Sequence, residues 1–99
     1  MYTHTEINVI TERISKMENY FDIIQESLHN TTDLLDSKSA VSVMLEELID
    51  YYENGQWFKD YQCDETGILP ENLKRGVLSE DGVYNLICEV MEYREIYGI

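Results

Sequence analysis

Ile7-Asn-Val-Ile-Thr-Glu-Arg-Ile-Ser-Lys-Met-Glu-Asn-Tyr-Phe-Asp-Ile-Ile-Gln-Glu-Ser-Leu28 is the stretch from which the fold is read. Its apolar residues Ile7, Ile10, Ile14, Met17, Phe21, Ile24 and Leu28 alternate spacings of three and four, the period of one face of an α-helix. The spacing predicts a helix over about residues 5–29, capped by Thr3 or Thr5, with Glu6 in the first turn where the helix dipole favours an acid. Val9, Tyr20 and Ile23 widen the stripe beyond a two-helix seam, which predicts a bundle rather than a simple coiled coil.

Working outward, His29-Asn30-Thr31-Thr32 breaks the pattern with turn-favouring residues. A second seam follows in Leu34, Lys38, Val41, Leu45, Leu48 and Tyr52, broadened by Leu35, Met44 and Ile49. It predicts a helix from Asp33 to about Glu53, or from near Ser39 if Ser37, Ser39 and Ser42 win the first turns for local hydrogen bonds. With the earlier start, the short link makes an antiparallel hairpin of two nearly equal arms, each roughly 30 Å long.

Asn54-Gly55 ends this helix with glycine in the left-handed conformation. Gln56 to Tyr61 allows about one and a half helical turns with Trp57, Phe58 and Tyr61 on one side, and Gln62 to Leu69 reads as a loop. Beyond Pro70, Gly76 supplies a position permissive for positive φ, and Ser79 is placed to cap a last helix over about residues 80–97. That helix carries apolar residues nearly all round, leaving a narrow polar stripe of Asp81, Asn85, Glu89, Glu92 and Glu95. It is therefore expected to be covered on most sides, in the groove of the hairpin. The fold class expected is all-α: an antiparallel helical hairpin completed by a short aromatic helix and a C-terminal helix, a three- to four-helix bundle. No repeat, linker or change of composition divides residues 1–99, so one domain is expected.

Three pieces of the chain resemble a known family. They are Leu73-Lys-Arg-Gly-Val-Leu-Ser-Glu-Asp-Gly-Val-Tyr-Asn-Leu86, the Tyr51-Tyr52 pair with Trp57 and Asp60-Tyr61, and Arg13-Ile14 with Met17-Glu18 in the first helix. Together they are similar to the small bacterial family described as domain of unknown function 4298. The resemblance implies a compact helical bacterial protein with no assigned activity.

Charge narrows the function classes. The chain has 20 acidic and 7 basic residues, a net charge of −13. This argues against direct binding to nucleic acid or to an anionic membrane, both of which require clustered Lys and Arg. A protein partner with a basic surface is the favoured kind. The N-terminal residues show neither the cationic nor the apolar region of a secretion signal, and a cytoplasmic location is expected. Cys63 and Cys88 form neither a disulfide framework nor a C-x-x-C site. Cys88 is expected among the core residues of the last helix, and Cys63 in a loop whose acids Asp64 and Glu65 raise its thiol pKa.

No catalytic apparatus is legible, and the chain is expected to be no enzyme and to need no cofactor. Asp60, Gln62, Asp64, Thr66 and Glu71 have the spacing of a calcium loop, but Glu65 stands where such a loop needs glycine, and a solvated acidic loop is the preferred reading. His4 and His29, at opposite ends of the first helix, share no site.

The candidate partner-binding residues are Glu46, Glu47, Asp50 and Glu53 on one side of the second helix, Tyr51, Trp57, Asp60 and Tyr61 in the aromatic segment, and Lys74 with Arg75 in the loop. Trp57 is expected to plug the end of the bundle, with Tyr51 the more exposed aromatic. Lys74 and Arg75 are expected to find Asp60, Asp64 or Glu71. The function expected is binding of a protein through its basic surface, as a regulator or inhibitor, with homodimerisation through leftover apolar faces of the last helix possible. The runner-up is a phage-type DNA mimic whose acidic rows, including Glu89, Glu92 and Glu95, occupy the basic groove of a restriction or CRISPR effector. A metal- or ligand-binding enzyme is a distant third.

Overall fold

A computed structural model describes residues 2–98, which form four helices and no strand. Helix α1 runs over His4–Asn30, α2 over Ala40–Glu53, α3 over Gln56–Glu65 and α4 over Gly82–Tyr97. Short 3-10 turns at Asp33–Leu35 and Gly76–Leu78 precede α2 and α4. The long α1 makes the molecule a rod, 48 × 22 × 21 Å. Among the described residues no helix is long and apolar enough to cross a membrane.

Thr3 caps α1: its hydroxyl accepts the Glu6 N–H at 3.1 Å, and the Glu6 carboxylate accepts the Thr3 N–H at 3.1 Å. These bonds hold the Glu6 carboxyl below its ordinary pKa. The seam read from the sequence faces inward, with Ile10, Ile14, Met17, Phe21 and Ile24 buried, whereas Val9 remains exposed.

The serines decide where α2 begins. Ser39 Oγ donates to the Asp33 carbonyl and Ser42 Oγ to the Asp36 carbonyl, each at 2.7 Å. Ser39 Oγ also accepts the Ser42 N–H and so caps the helix. Side chains bonded to nearby backbone compete with helix, and here they replace two predicted turns. The hairpin arms are consequently unequal, about 40 Å for α1 and about 21 Å for α2. Lys38 falls outside the helix and stays in solvent, so no cation enters the seam.

Gly55 takes φ = 94°, a left-handed conformation that lets α3 start at once. That helix runs ten residues, longer than expected, and contains Cys63 and Asp64. Burial, then Asp60 and Asp64, push the Cys63 thiol pKa up.

α4 begins at Gly82 because the Ser79 hydroxyl donates to the Gly76 carbonyl at 2.9 Å and caps nothing. A side chain at position 82 would collide with Ser79, which explains glycine in a first helical turn. α4 packs on α1 and both 3-10 turns rather than along the hairpin groove. It buries only Val83, Leu86 and Val90, leaving Tyr84, Cys88, Met91, Ile96 and Tyr97 exposed. Cys88 is thus a surface residue, and α4 is covered on one face because one helix and two short turns do not wrap it.

Candidate functional site

The fold buries two carboxylates, Asp60 of α3 and Glu18 of α1. Asp60 is 1% exposed and accepts four hydrogen bonds. The Arg13 guanidinium supplies two, Nε to Oδ2 at 2.9 Å and Nη2 to Oδ1 at 2.7 Å. Tyr51 donates its hydroxyl to Oδ2 at 2.7 Å, and Gln56 Nε2 donates to Oδ1 at 3.1 Å. The bond to Asp60 holds Arg13 yet more firmly protonated, while burial and then Asp60 push the Tyr51 phenol up. A bidentate, fully bonded carboxylate of this kind ties α1, α2 and α3 together. Tyr51, expected to be exposed, is therefore a core residue, and Asp60 faces the interior rather than a partner.

The segment between α3 and α4 is held by side chains as well. Arg75 Nε donates to Asp64 at 2.7 Å. Its remaining nitrogens donate to the carbonyls of Pro70, Glu71 and Leu73, so one guanidinium shapes the turn. Trp57 Nε1 donates to the Val77 carbonyl at 2.8 Å, with Tyr61 stacked on the indole and Tyr52 meeting it edge-on. Tyr61 in turn donates to Glu80. Arg94 of α4 donates to the Leu34 carbonyl and to Ser42. All three arginines are thus consumed in holding the fold. Arg75 takes the internal role expected of it, and Lys74 remains exposed.

Glu18, 7% exposed, is bonded differently. Its Oε1 accepts the Val77 N–H at 2.8 Å at the start of the second 3-10 turn, whereas no side chain or backbone group among the described residues donates to Oε2. Gly76 does not have positive φ. A Cβ there would lie 3.0 Å from Oε2, tighter than an ordinary contact, so the Glu18 carboxylate would have to shift to admit a side chain. Glu18 lies on the floor of a cleft of about 420 Å³ between α1 and the turn at 70–74. Thr11, Ser15, Asn19 and Asp22 of α1 line one side, and Asn72, Leu73 and Lys74 the other. The size falls within the range usual for ligand sites. Glu18 stood in the sequence as part of the family-like run, but not as a site residue. The signal that could have found this cleft is the polar row Thr11, Ser15, Asn19, Asp22 at helical spacing, on a helix otherwise read for its apolar face.

The acids expected to meet a partner remain at the surface. Glu46, Glu47, Asp50 and Glu53 are exposed on α2, with Lys16 of α1 at 3.5 Å from Glu47, and Glu89, Glu92 and Glu95 are exposed on α4. Among the described residues no three His, Cys, Asp or Glu side chains are grouped to hold a metal. The two aspartates of the calcium-like spacing, Asp60 and Asp64, sit in helix α3 and each holds an arginine.

No curated protein and no solved structure matches the chain. A family profile described as a domain of unknown function (DUF4298) matches residues 14–97, a span that includes Glu18, Tyr51, Trp57, Asp60, Arg75 and Gly76. Within that span Tyr51 bonds to Asp60 and the Glu18 carboxylate lies against Gly76, and the chain belongs to this family of unknown function.

Proposed function

We propose that this protein is a non-enzymatic regulator or inhibitor that binds another protein through that partner's basic surface, in the cytoplasm. The observation that carries the reading is the division of charge. Seventeen of the twenty carboxylates are exposed, while the three arginines are turned to internal bonds and four lysines remain as exposed cations. A surface so biased attracts cationic proteins over distances of about a Debye length and repels nucleic acid. Electrostatic complementarity of this kind raises association rate and selectivity.

The test is capture from a lysate of the source cell by the native chain and by a variant carrying Glu46→Gln, Glu47→Gln, Asp50→Asn and Glu53→Gln. The reading expects one or a few basic proteins, held in a salt-sensitive way and more weakly by the variant. Displacement of the captured protein by duplex DNA would move the reading to a DNA mimic acting on a nucleic-acid-binding effector. Absence of any basic protein from the native capture overturns it.

A further inference from the structure

We infer that the cleft between α1 and the turn at 70–74 is a seat for one guanidinium group, the side chain of an arginine on the partner, with Glu18 as its counter-ion. The inference rests on the reading of a basic partner and names the place where that partner is gripped.

The first support is the bonding of Glu18. An ionised carboxylate removed from water is stable only when donors replace the lost hydration. Asp60 shows what this fold supplies when a carboxylate is structural: four donors, two of them from a guanidinium. Glu18 as a residue is almost as buried but receives a single backbone N–H; its second oxygen keeps contact with solvent, and the residue lines an open cleft. A guanidinium entering there would give Glu18 what Arg13 gives Asp60. It is also the cation least penalised by leaving water, and its planar fork can reach a second acceptor.

The second support is the cleft wall. Its α1 side is the solvent-exposed row Ser15, Asn19 and Asp22 with half-buried Thr11, which offers oxygen acceptors beside Glu18. The Thr11 hydroxyl spends its proton on the Ile7 carbonyl at 2.7 Å, leaving its oxygen to accept. Asp22 stands one helical turn from Glu18, so the α1 wall carries two carboxylates and no cation. Lys74 stands on the opposite rim and makes no ion pair within 4 Å among the described residues. A lysine on the rim opposes a cationic guest, which gives the inference a sign that can be tested.

The experiment is titration of the ¹⁵N-labelled full chain with N-acetyl-arginine amide, followed by backbone amide shifts, with N-acetyl-lysine amide alongside. Saturable shifts at Ser15, Asn19, Asp22, Leu73 and Lys74, larger for the arginine probe, are expected. Glu18→Gln keeps an oxygen for the Val77 N–H and removes the charge, and should weaken binding about tenfold. Lys74→Gln should tighten it about threefold by removing a like charge.

Shifts spread along the acidic rows of α2 and α4, with Glu18→Gln without effect, would overturn the inference and leave the cleft hydrated only. So would weaker binding in Lys74→Gln, which would mark an anion site. If Glu18→Gln retains a basic protein captured from lysate as well as the native chain does, the cleft falls while the wider reading stands. If the native chain captures none, the wider reading falls with it.

Discussion

The region around Asp60 and the region around Glu18 each centre on a buried carboxylate, one on α3 bonded to α1 and α2 and one on α1 bonded to the turn before α4, yet they end in opposite states. At Asp60 every lone pair that matters has a donor from within the chain, and three helices are fixed as a result. At Glu18 one oxygen anchors the turn before α4 and the other keeps contact with solvent. The difference separates two roles that look identical in a sequence. A carboxylate whose donors all come from its own fold can offer nothing to a partner without breaking that fold; one with an oxygen left over can.

The largest effect that would break the comparison is at Asp60. Asp60→Ala leaves the Arg13 charge against a closed interior and should cost about 3 kcal/mol, at the lower end of the usual range because Arg13 keeps some contact with water. A shift of the urea midpoint by less than about 1 kcal/mol equivalent would show that the network does not hold the helices together.

Tyr51→Phe removes one of the four donors and should cost about 1 kcal/mol near neutral pH. It also bears on alkaline stability. The Tyr51 phenol and the Cys63 thiol are both pushed above their ordinary values of 10.0 and 9.0, so the fold prefers their protonated forms. Their contribution is full below those ordinary values and is lost as pH rises through the higher folded values. Thermal midpoints of the native chain should therefore fall above about pH 9, and the fall above pH 10 should be smaller in Tyr51→Phe.

Gly76→Ala sharpens the other side. Its Cβ would press on the Glu18 carboxylate, which must give by a few tenths of an ångström. A loss of about 1 kcal/mol is expected, reduced when Glu18→Ala is present as well, because the two sites are in contact. The smallest effect is Glu18→Gln, which keeps the bond to Val77 and should change stability by no more than about 0.5 kcal/mol. Equal losses in Asp60→Asn and Glu18→Gln, read from denaturant melts, would erase the distinction between the two regions.

Several features could be read before folding because the local chain carries the cause. The spacing of Ile10, Ile14, Met17, Phe21 and Ile24 fixes one buried face of α1, and that face is the one buried. Thr3 with Glu6 forms a cap from residues three apart, and Asn54-Gly55 ends α2 as glycine's freedom allows. The start of α2 lay between two readings, since propensity and serine hydrogen bonding compete at similar energy. The bonds of Ser39 and Ser42 to carbonyls six residues back chose the later start.

Other features were hidden because their cause lies far along the chain. Asp60 and Tyr51 looked like surface groups beside other acids and aromatics. Their burial depends on Arg13, 47 residues from Asp60, arriving on α1. Gly76 suggested a left-handed turn, whereas what it meets is the carboxylate of Glu18, 58 positions earlier and set against it only once the chain has folded. Cys88 and much of α4 looked buried because the helix is apolar nearly all round, and only packing shows that too little chain remains to cover it.

The sequence by itself determined the all-α class, the inward face of α1, the cap and the breaks, and an acidic surface, since periodicity, capping and net charge act over a few residues or need no position at all. Tertiary structure alone decided which of the acids and arginines are internal, which carboxylate is saturated with donors, and where a polar cleft opens. Those outcomes depend on side chains tens of residues apart meeting at hydrogen-bond distance, and only the folded backbone sets that distance.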